Sequence, residues 1–153
     1  MSIEIYRLES EVAFQKKSTF SGIGGIHADG RWHEAPRRII YCAESWALAI
    51  LEVRVHLGST AGSLIRYKIE VEIDEDMIYM PEALPKNWSC FPYLQGTKRL
   101  GNNWYDSRRS LILKAPSAVS PDSYNYLINA EHQDFSTLKP SEPEAIALDS
   151  RLV

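Results

Sequence analysis

Residues 39–57 read IIYCAESWALAILEVRVHL and combine the two hydrophobic patterns that decide the fold. The run RRIIYCA, residues 37–43, is compact and β-branched, which predicts a short strand that ends at Ala43. From Trp46 onward the apolar residues recur at helical spacing, and Ser45 is a good N-cap just before them. We therefore predict a strand, a two-residue turn and a helix over 46–57, which Gly58 ends.

Strand patterns dominate the rest of the chain. Residues 63–73, SLIRYKIEVEI, alternate strictly between apolar and polar side chains, which predicts a strand with one buried face and one wet face. The other predicted strands are 3–8, 110–115 (stopped by Pro116), 125–129 and a closing segment, 148–153. Between the strands we expect a glycine-rich loop over 15–30, an irregular segment over 80–96 and a helix over 97–108 that breaks near 101–103. Because there is no repeating βαβ rhythm, the pattern favours a compact α+β domain.

The composition is that of an ordinary globular protein. The 153 residues are 44% hydrophobic and carry a net charge of −3, so no global positive field attracts nucleic acid. The two cysteines have no CxxC spacing and suit a reducing compartment. The first residues lack a signal-peptide core, and no apolar run is long enough to span a membrane. We expect a soluble, cytoplasmic protein.

Glu52 is the most informative single residue. It lies in the middle of ALAILEVRV, where nearly every neighbour is apolar, so we expect a largely buried helix. A buried carboxylate is costly unless it is paired or used in chemistry. Two interpretations stay open: Glu52 is catalytic, or it lies on a narrow wet stripe with His56, four residues later.

Arg31 and Tyr41 are the next candidates. Arg31 directly follows a glycine in DGRWH, where its guanidinium has the geometry to clamp a phosphate or carboxylate at two points. Tyr41, near the end of its strand, offers a flat face to an aromatic ligand and a hydroxyl for a hydrogen bond. Each also has a purely structural interpretation, as a surface ion pair and as a half-buried core residue.

Other familiar motifs are absent from the sequence. GIGG at residues 22–25 is neither a Walker loop nor a GxGxxG turn, because no strand–loop–helix unit surrounds it. The four histidines show no metal-binding spacing, so we predict no metal site. Ser117 lies in APSAVSP without GxSxG, which argues against a hydrolase nucleophile, although a fixed hydroxyl there would suit substrate orientation.

Taken together, five segments in order resemble the RES-domain family, which is named for an arginine, a glutamate and a serine. The matching stretches are GRW with Arg31, IIYCAESWALAILE with Tyr41 and Glu52, APSAVSP with Ser117, NYLINAEHQDF with Asn125, Asn129 and His132, and LDSRL near the end. The sequence departs from the family pattern at Ala130, where proline is common, and in a less glycine-rich stretch around Arg31.

The resemblance implies an ADP-ribosyltransferase-like fold, one RES domain over residues 1–153 with a split mixed sheet and NAD in a cleft. It also implies a toxin that consumes NAD at the nicotinamide–ribose bond, with inorganic phosphate or water as acceptor. On this view Glu52 stabilises the oxocarbenium-like transition state, Arg31 binds the pyrophosphate or the attacking phosphate, and Tyr41 stacks on nicotinamide. Ser117 and Asn129 are expected to hydrogen-bond the cofactor.

The expected partner also comes from the resemblance. A helix-turn-helix antitoxin of the Xre type is implied, which would occlude the cleft in an oligomeric complex, with no direct binding of nucleic acid or membrane. Three alternatives remain: transfer of ADP-ribose to a macromolecule, a non-catalytic interaction module, and an RNA-cleaving toxin. The last is disfavoured by the negative charge and by the lack of a histidine pair or basic groove.

Overall fold

A computed structural model describes residues 1–57 and 64–152. The strands over these residues are β1 (Ser2–Glu9), β2 (Ile39–Ala43), β3 (Ile65–Asp74), β4 (Ile78–Tyr79), β5 (Ile112–Pro116), β6 (Tyr124–Asn129) and β7 (Glu144–Ala147). The α-helices are α1 (Glu11–Gln15), α2 (Ile23–His27), α3 (Trp46–Leu57) and α4 (Gln95–Ser107). Short 3-10 helices lie at Glu75–Met77, Phe135–Thr137 and Ser150–Leu152.

The described strands form one mixed sheet in the order β4-β5-β6-β2-β1-β3-β7. The β4–β5 pair is parallel and the other neighbouring pairs are antiparallel. In this register Tyr41 of β2 lies opposite Leu127 of β6. The α+β prediction with a mixed sheet is confirmed.

The two faces of the sheet are covered differently. One face carries a continuous apolar core that includes Ile5, Ile40 and Ile112, since alternate residues of each strand point the same way. On the other face α4 packs over β5 and β6 through Trp104, and α3 packs over β1 and β2 through Leu48. Tyr41 lies on this second face, between the two helices.

The strand–helix unit over 39–57 forms as predicted. The Ser45 hydroxyl accepts a hydrogen bond from the Leu48 N–H at 3.1 Å, which is the expected N-cap. Gly58 and Ser63 lie outside the described residues. The prediction that this helix is largely buried is wrong, since Leu51 and Val55 are 42% and 54% exposed. Only one apolar side of the helix packs on the sheet, and these two residues lie on another side.

Two further predictions are corrected. The helix over 95–107 does not break near 101–103, because Gly101 is buried where the helix meets the backbone of Trp32 and any side chain there would collide with the Trp32 carbonyl. The closing segment is not a strand: residues 150–152 form a 3-10 turn, and the last described strand is β7, over 144–147.

The other predicted strands agree apart from their ends, whereas the loop predicted over 15–30 is in part helical. The glycine-rich loop over 15–30 contains the five-residue helix α2, and the predicted strand over 110–115 begins at Ile112 and includes Pro116. Residues 81–94 are irregular as expected. Within the described ranges, no helix has the length and apolar character needed to cross a membrane.

Candidate active site

Glu52 projects from α3 and is half-buried. Its Oε1 accepts hydrogen bonds from the Ser117 hydroxyl at 2.9 Å and from the Asn125 side-chain amide at 3.1 Å. Its Oε2 has no hydrogen-bond partner within residues 1–57 and 64–152. One oxygen of the carboxylate is therefore fixed, and the other is left to interact with a ligand.

The two donors to Glu52 are themselves held by the sheet. Ser117 directly follows β5, and its hydroxyl oxygen accepts the N–H groups of Val119 and Ser120, both at 3.1 Å. Because those groups occupy its lone pairs, the Ser117 proton is directed to the carboxylate. Asn125 lies on β6 between Ala43 of β2 and Ala115 of β5. The structure thus brings Glu52, Ser117 and Asn125 together from three elements.

Arg31 is held by the irregular segment over 81–94. Its Nη1 donates to the carbonyls of Trp88 at 2.8 Å and Cys90 at 2.7 Å, and its guanidinium lies 4.8 Å from the centre of the Tyr93 ring. These contacts combine backbone hydrogen bonds with a cation–π contact. Nε and Nη2 have no partner in the part of the chain that the structure describes, so this edge can receive an anion.

Residues 29–38, which carry Arg31, are fastened along α4. Glu34 bonds to Asn102 through its backbone N–H and its carboxylate, at 2.9 and 3.0 Å. Arg37 makes two contacts with Asp106, at 3.0 and 2.8 Å. Lys98 reaches Asp29 at 3.0 Å. The segment therefore has a fixed course although it contains no regular element.

Tyr41 presents its hydroxyl to the same segment. The hydroxyl lies 2.7 Å from Nδ1 of His33 and accepts the Trp32 N–H at 3.4 Å. Burial raises the pKa of Tyr41, so the phenol stays protonated. Gly30 approaches the ring so closely that a Cβ there would lie 2.5 Å from the hydroxyl oxygen, which explains the need for glycine before Arg31.

A chain of contacts joins the arginine to the helix that carries Glu52. The Tyr93 hydroxyl lies 3.4 Å from Nε2 of His56, and Nδ1 of His56 lies 2.6 Å from the Glu52 carbonyl. His56 thus bonds to the backbone of its own helix rather than to the Glu52 carboxylate. These contacts link the Arg31 guanidinium, through Tyr93 and His56, to the backbone of α3 at Glu52.

Asn129 and His132 are not brought to this region. Asn129 is fully buried at the opposite end of β6 from Asn125, about 13 Å away at the rise of a strand. Its side chain donates to the Tyr105 carbonyl and accepts the Glu131 N–H. Nδ1 of His132 accepts the Asp134 N–H. Both side chains organise the turn after β6, so a cofactor contact for Asn129 has no support in this geometry.

Sequence reasoning missed His33, Tyr93 and the carbonyls of Trp88 and Cys90. The irregular segment has no periodicity from which a contact with Arg31 could be predicted. Trp88, for example, lies 57 residues after Arg31 in the sequence. His33 stands two residues after Arg31, so its proximity was visible, but its partner Tyr41 was not. In the described ranges, no cluster of three or more histidine, cysteine, aspartate or glutamate side chains is placed to hold a metal ion.

His33 is expected to make the stability of the protein depend on pH. Burial lowers its pKa below the ordinary value of 6.5 and outweighs the carbonyls of Gly25 and Ala28, which favour the charged form. The unfolded chain therefore binds more protons than the folded one in mildly acidic solution, so stability is full above pH 6.5 and is lost as the pH falls. Urea unfolding at a series of pH values between about 7.5 and 5 measures this dependence. Most carboxylates titrate below this range and therefore contribute little to it. His33→Asn should flatten the dependence; an equally steep curve for this variant would contradict the assignment.

The fold and site together define the class of the protein. Around one mixed sheet, the segment before β2, β2 itself, α3 and the end of β5 carry an arginine, a tyrosine, a glutamate and a serine in the order that the RES-domain resemblance requires. Residues 4–149 match the family described as RES domain, and the chain belongs to this family of toxins.

Curated relatives match over nearly their full lengths. A protein named Prs ADP-ribosylating toxin, from Sphingobium sp. strain YBL2, is 31% identical over 100% of this chain and 98% of its own length. Proteins named Toxin Res from Yersinia enterocolitica and Pseudomonas putida are 36% and 37% identical, covering 88% and 86% of this chain and 91% of each relative.

A solved structure shares the fold. It is the MbcT–MbcA toxin–antitoxin complex of M. tuberculosis, one chain of which superposes with a TM-score of 0.72. The match covers 96% of this chain and 85% of that chain at 15% sequence identity. At this level of identity the likeness shows that the two proteins share a fold.

Proposed function

We propose that this RES-domain toxin cleaves the nicotinamide–ribose bond of NAD and transfers the ADP-ribosyl group to phosphate or water. One observation carries the proposal: the half-buried Glu52 carboxylate is fixed through a single oxygen, and the Arg31 guanidinium is linked through Tyr93 and His56 to the helix that carries it. This arrangement suits a ligand that has an anionic part and a sugar that becomes cationic.

Glu52 supplies the electrostatic part of the mechanism. Nicotinamide leaves as a neutral molecule, so the main demand is to stabilise an oxocarbenium-like ribose. A preorganised carboxylate does this more strongly where water is partly excluded. Ser117 and Asn125 hold Oε1, which leaves Oε2 to face the ribose or one of its hydroxyl groups.

Arg31 and Tyr41 would position the substrate. The Nε–Nη2 edge of Arg31, which bonds to none of the described residues, suits the diphosphate of NAD or the attacking inorganic phosphate, because a guanidinium binds two oxygens at once. The ring of Tyr41 offers a face to nicotinamide. The contact with NAD that the resemblance implied for Asn129 stays a prediction, since its buried side chain already bonds to the backbone of Tyr105 and Glu131.

Transfer of ADP-ribose to a macromolecule is a second candidate. It is favoured by the Sphingobium relative, whose name describes an ADP-ribosylating toxin. The same residues would cleave the same bond, and only the acceptor would differ.

An antitoxin partner belongs to the same proposal. The M. tuberculosis structure is a toxin–antitoxin complex, which supports an antitoxin partner for this chain, and we propose that this partner covers the site. We propose an Xre-type helix-turn-helix protein, bound to this chain in an oligomeric complex in the cytoplasm.

The acceptor is identified by the products. Purified protein is incubated with NAD, with and without inorganic phosphate, and the small molecules and total protein are measured by mass spectrometry. ADP-ribose 1″-phosphate, ADP-ribose and a modified protein would indicate phosphorolysis, hydrolysis and macromolecular transfer. If no nicotinamide is released under any condition, the enzymatic proposal is wrong.

Two cellular measurements separate the remaining alternatives. If the Glu52→Ala variant arrests growth as the unmodified protein does, the chain acts as a non-catalytic interaction module. Intact RNA in cells whose NAD is falling excludes the RNA-cleaving toxin. We expect the variant to be harmless and the RNA to stay intact.

A further inference from the structure

We propose that His33 is a positioning residue for NAD cleavage and acts through the hydroxyl group of Tyr41. This inference rests on the proposed function, because it assigns the imidazole a part in the same reaction. His33 touches no group that we place against the substrate other than Tyr41, so its effect on the reaction is indirect.

The surroundings of His33 determine its tautomer. His33 is 2% exposed, and its Nε2 lies 3.0 Å from the Ala28 carbonyl and 3.2 Å from the Gly25 carbonyl. Carbonyl oxygens only accept hydrogen bonds, so Nε2 carries the proton. In the neutral ring Nδ1 is then an acceptor, and at 2.7 Å it receives the proton of the Tyr41 hydroxyl.

The hydrogen bonds of the Tyr41 hydroxyl are consequently made within the protein. Its single proton goes to His33, and its oxygen accepts the Trp32 N–H at 3.4 Å. A hydroxyl in this state has no proton to give to NAD. The part of Tyr41 that is left for substrate is the face of its ring.

The same hydroxyl ties two pieces of the site together. Trp32 directly follows Arg31, so the hydrogen bond from the Trp32 N–H joins the backbone at the arginine to the tyrosine ring. Without the acceptor at Nδ1, the Tyr41 hydroxyl loses the bond that fixes its direction. We therefore expect the Tyr41 ring and the backbone at Arg31 to become more mobile. Misplacing groups that position the substrate lowers the rate of reaction.

A matched pair of variants isolates the acceptor. His33→Asn can place its side-chain oxygen near the position of Nδ1 and keep the bond from Tyr41. His33→Gln can place its amide near the position of Nε2 and keep the bonds to Gly25 and Ala28, but it loses the acceptor. We expect kcat/KM for nicotinamide release to fall about tenfold in His33→Gln, as for the loss of one hydrogen bond, and within about threefold in His33→Asn. Equal activities in the two variants would overturn the proposal.

Tyr41→Phe completes the test. This variant keeps the ring and removes the hydroxyl, so its kcat/KM should equal that of His33→Gln, and His33→Gln should cause no further loss when added to it. A full second loss in the double variant means that His33 does not act through this hydroxyl. If Tyr41→Phe is much less active than His33→Gln, the hydroxyl has a further role in the reaction, and the proposal is also wrong.

The geometry is checked without any activity. Nitrogen NMR of the imidazole in the unmodified, folded protein should show a protonated Nε2 and an unprotonated Nδ1 at neutral pH. A protonated Nδ1 contradicts the inference directly, even if variants fail to fold. If the unmodified protein releases no nicotinamide, the proposed function is wrong, and so is the role of His33 in it. If NAD is cleaved normally but the proton is on Nδ1, only the His33 inference is wrong.

Discussion

Glu52→Gln is expected to lower the rate of nicotinamide release from NAD by about 10²–10³-fold, the usual cost of removing one preorganised electrostatic group. The replacement side chain has almost the same shape, and its oxygen can still accept from Ser117 and Asn125. The fold should therefore be retained, while the negative charge that faces the ribose is lost. Single-turnover rates of nicotinamide release measure the effect on the chemical step.

Glu72→Gln is the matched control for this variant. Glu72 is an exposed residue of β3, so the same chemical change takes place away from Glu52. Its rate should equal that of the unmodified protein. If Glu52→Gln retains a rate within about threefold, the carboxylate does not stabilise the transition state and the proposed mechanism is wrong.

Arg7→Ala is expected to lower the free energy of unfolding by about 3 kcal/mol, near the lower end for breaking a buried ion pair. Arg7 binds both carboxylate oxygens of Glu9 at 2.8 Å and also donates to the Tyr41 carbonyl at 2.7 Å. Burial alone would raise the pKa of Glu9, but Arg7 and the Phe20 N–H outweigh it, so this pKa is lowered. Removing Arg7 leaves a charge that is only 8% exposed without its partner.

Urea denaturation at neutral pH measures this loss, and Arg151→Ala is its control. Arg151 also binds a carboxylate through two nitrogens, that of Asp149, but its side chain is 89% exposed. Exposed pairs contribute little, so this variant should be as stable as the unmodified protein. Equal stability for the Arg7 and Arg151 variants would show that the buried pair does not hold the sheet together.

The parts of the fold predicted best are those specified by neighbouring residues. The strand–helix unit over 39–57 has its hydrophobic period, its turn and its Ser45 cap within one continuous stretch. The strand β7 was missed because its four residues, EAIA, lie on an edge and are mostly exposed, so they show no buried alternation. The unbroken α4 depends on a contact between Gly101 and Trp32 that local sequence does not encode.

The site shows the same division between local and distant information. Glu52 stood out because a carboxylate among apolar neighbours needs a partner, and the structure supplies two. Its partners are 65 and 73 residues away, so no local pattern could show that Ser117 and Asn125 bond to Glu52. The resemblance also suggested Asn129, and local sequence could not show that this side chain is fully buried and bonded to the backbone of Tyr105 and Glu131.

The Arg31 guanidinium and the Glu52 carboxylate are held by different elements of the fold. The arginine is carried by a segment fastened along α4, whereas the glutamate is carried by α3 on the other half of the sheet face. A small molecule that touches both acts as a crosslink between two halves of the protein, and it lends its binding energy to the folded state. The melting temperature therefore ranks candidate occupants of this protein even when none of them is turned over.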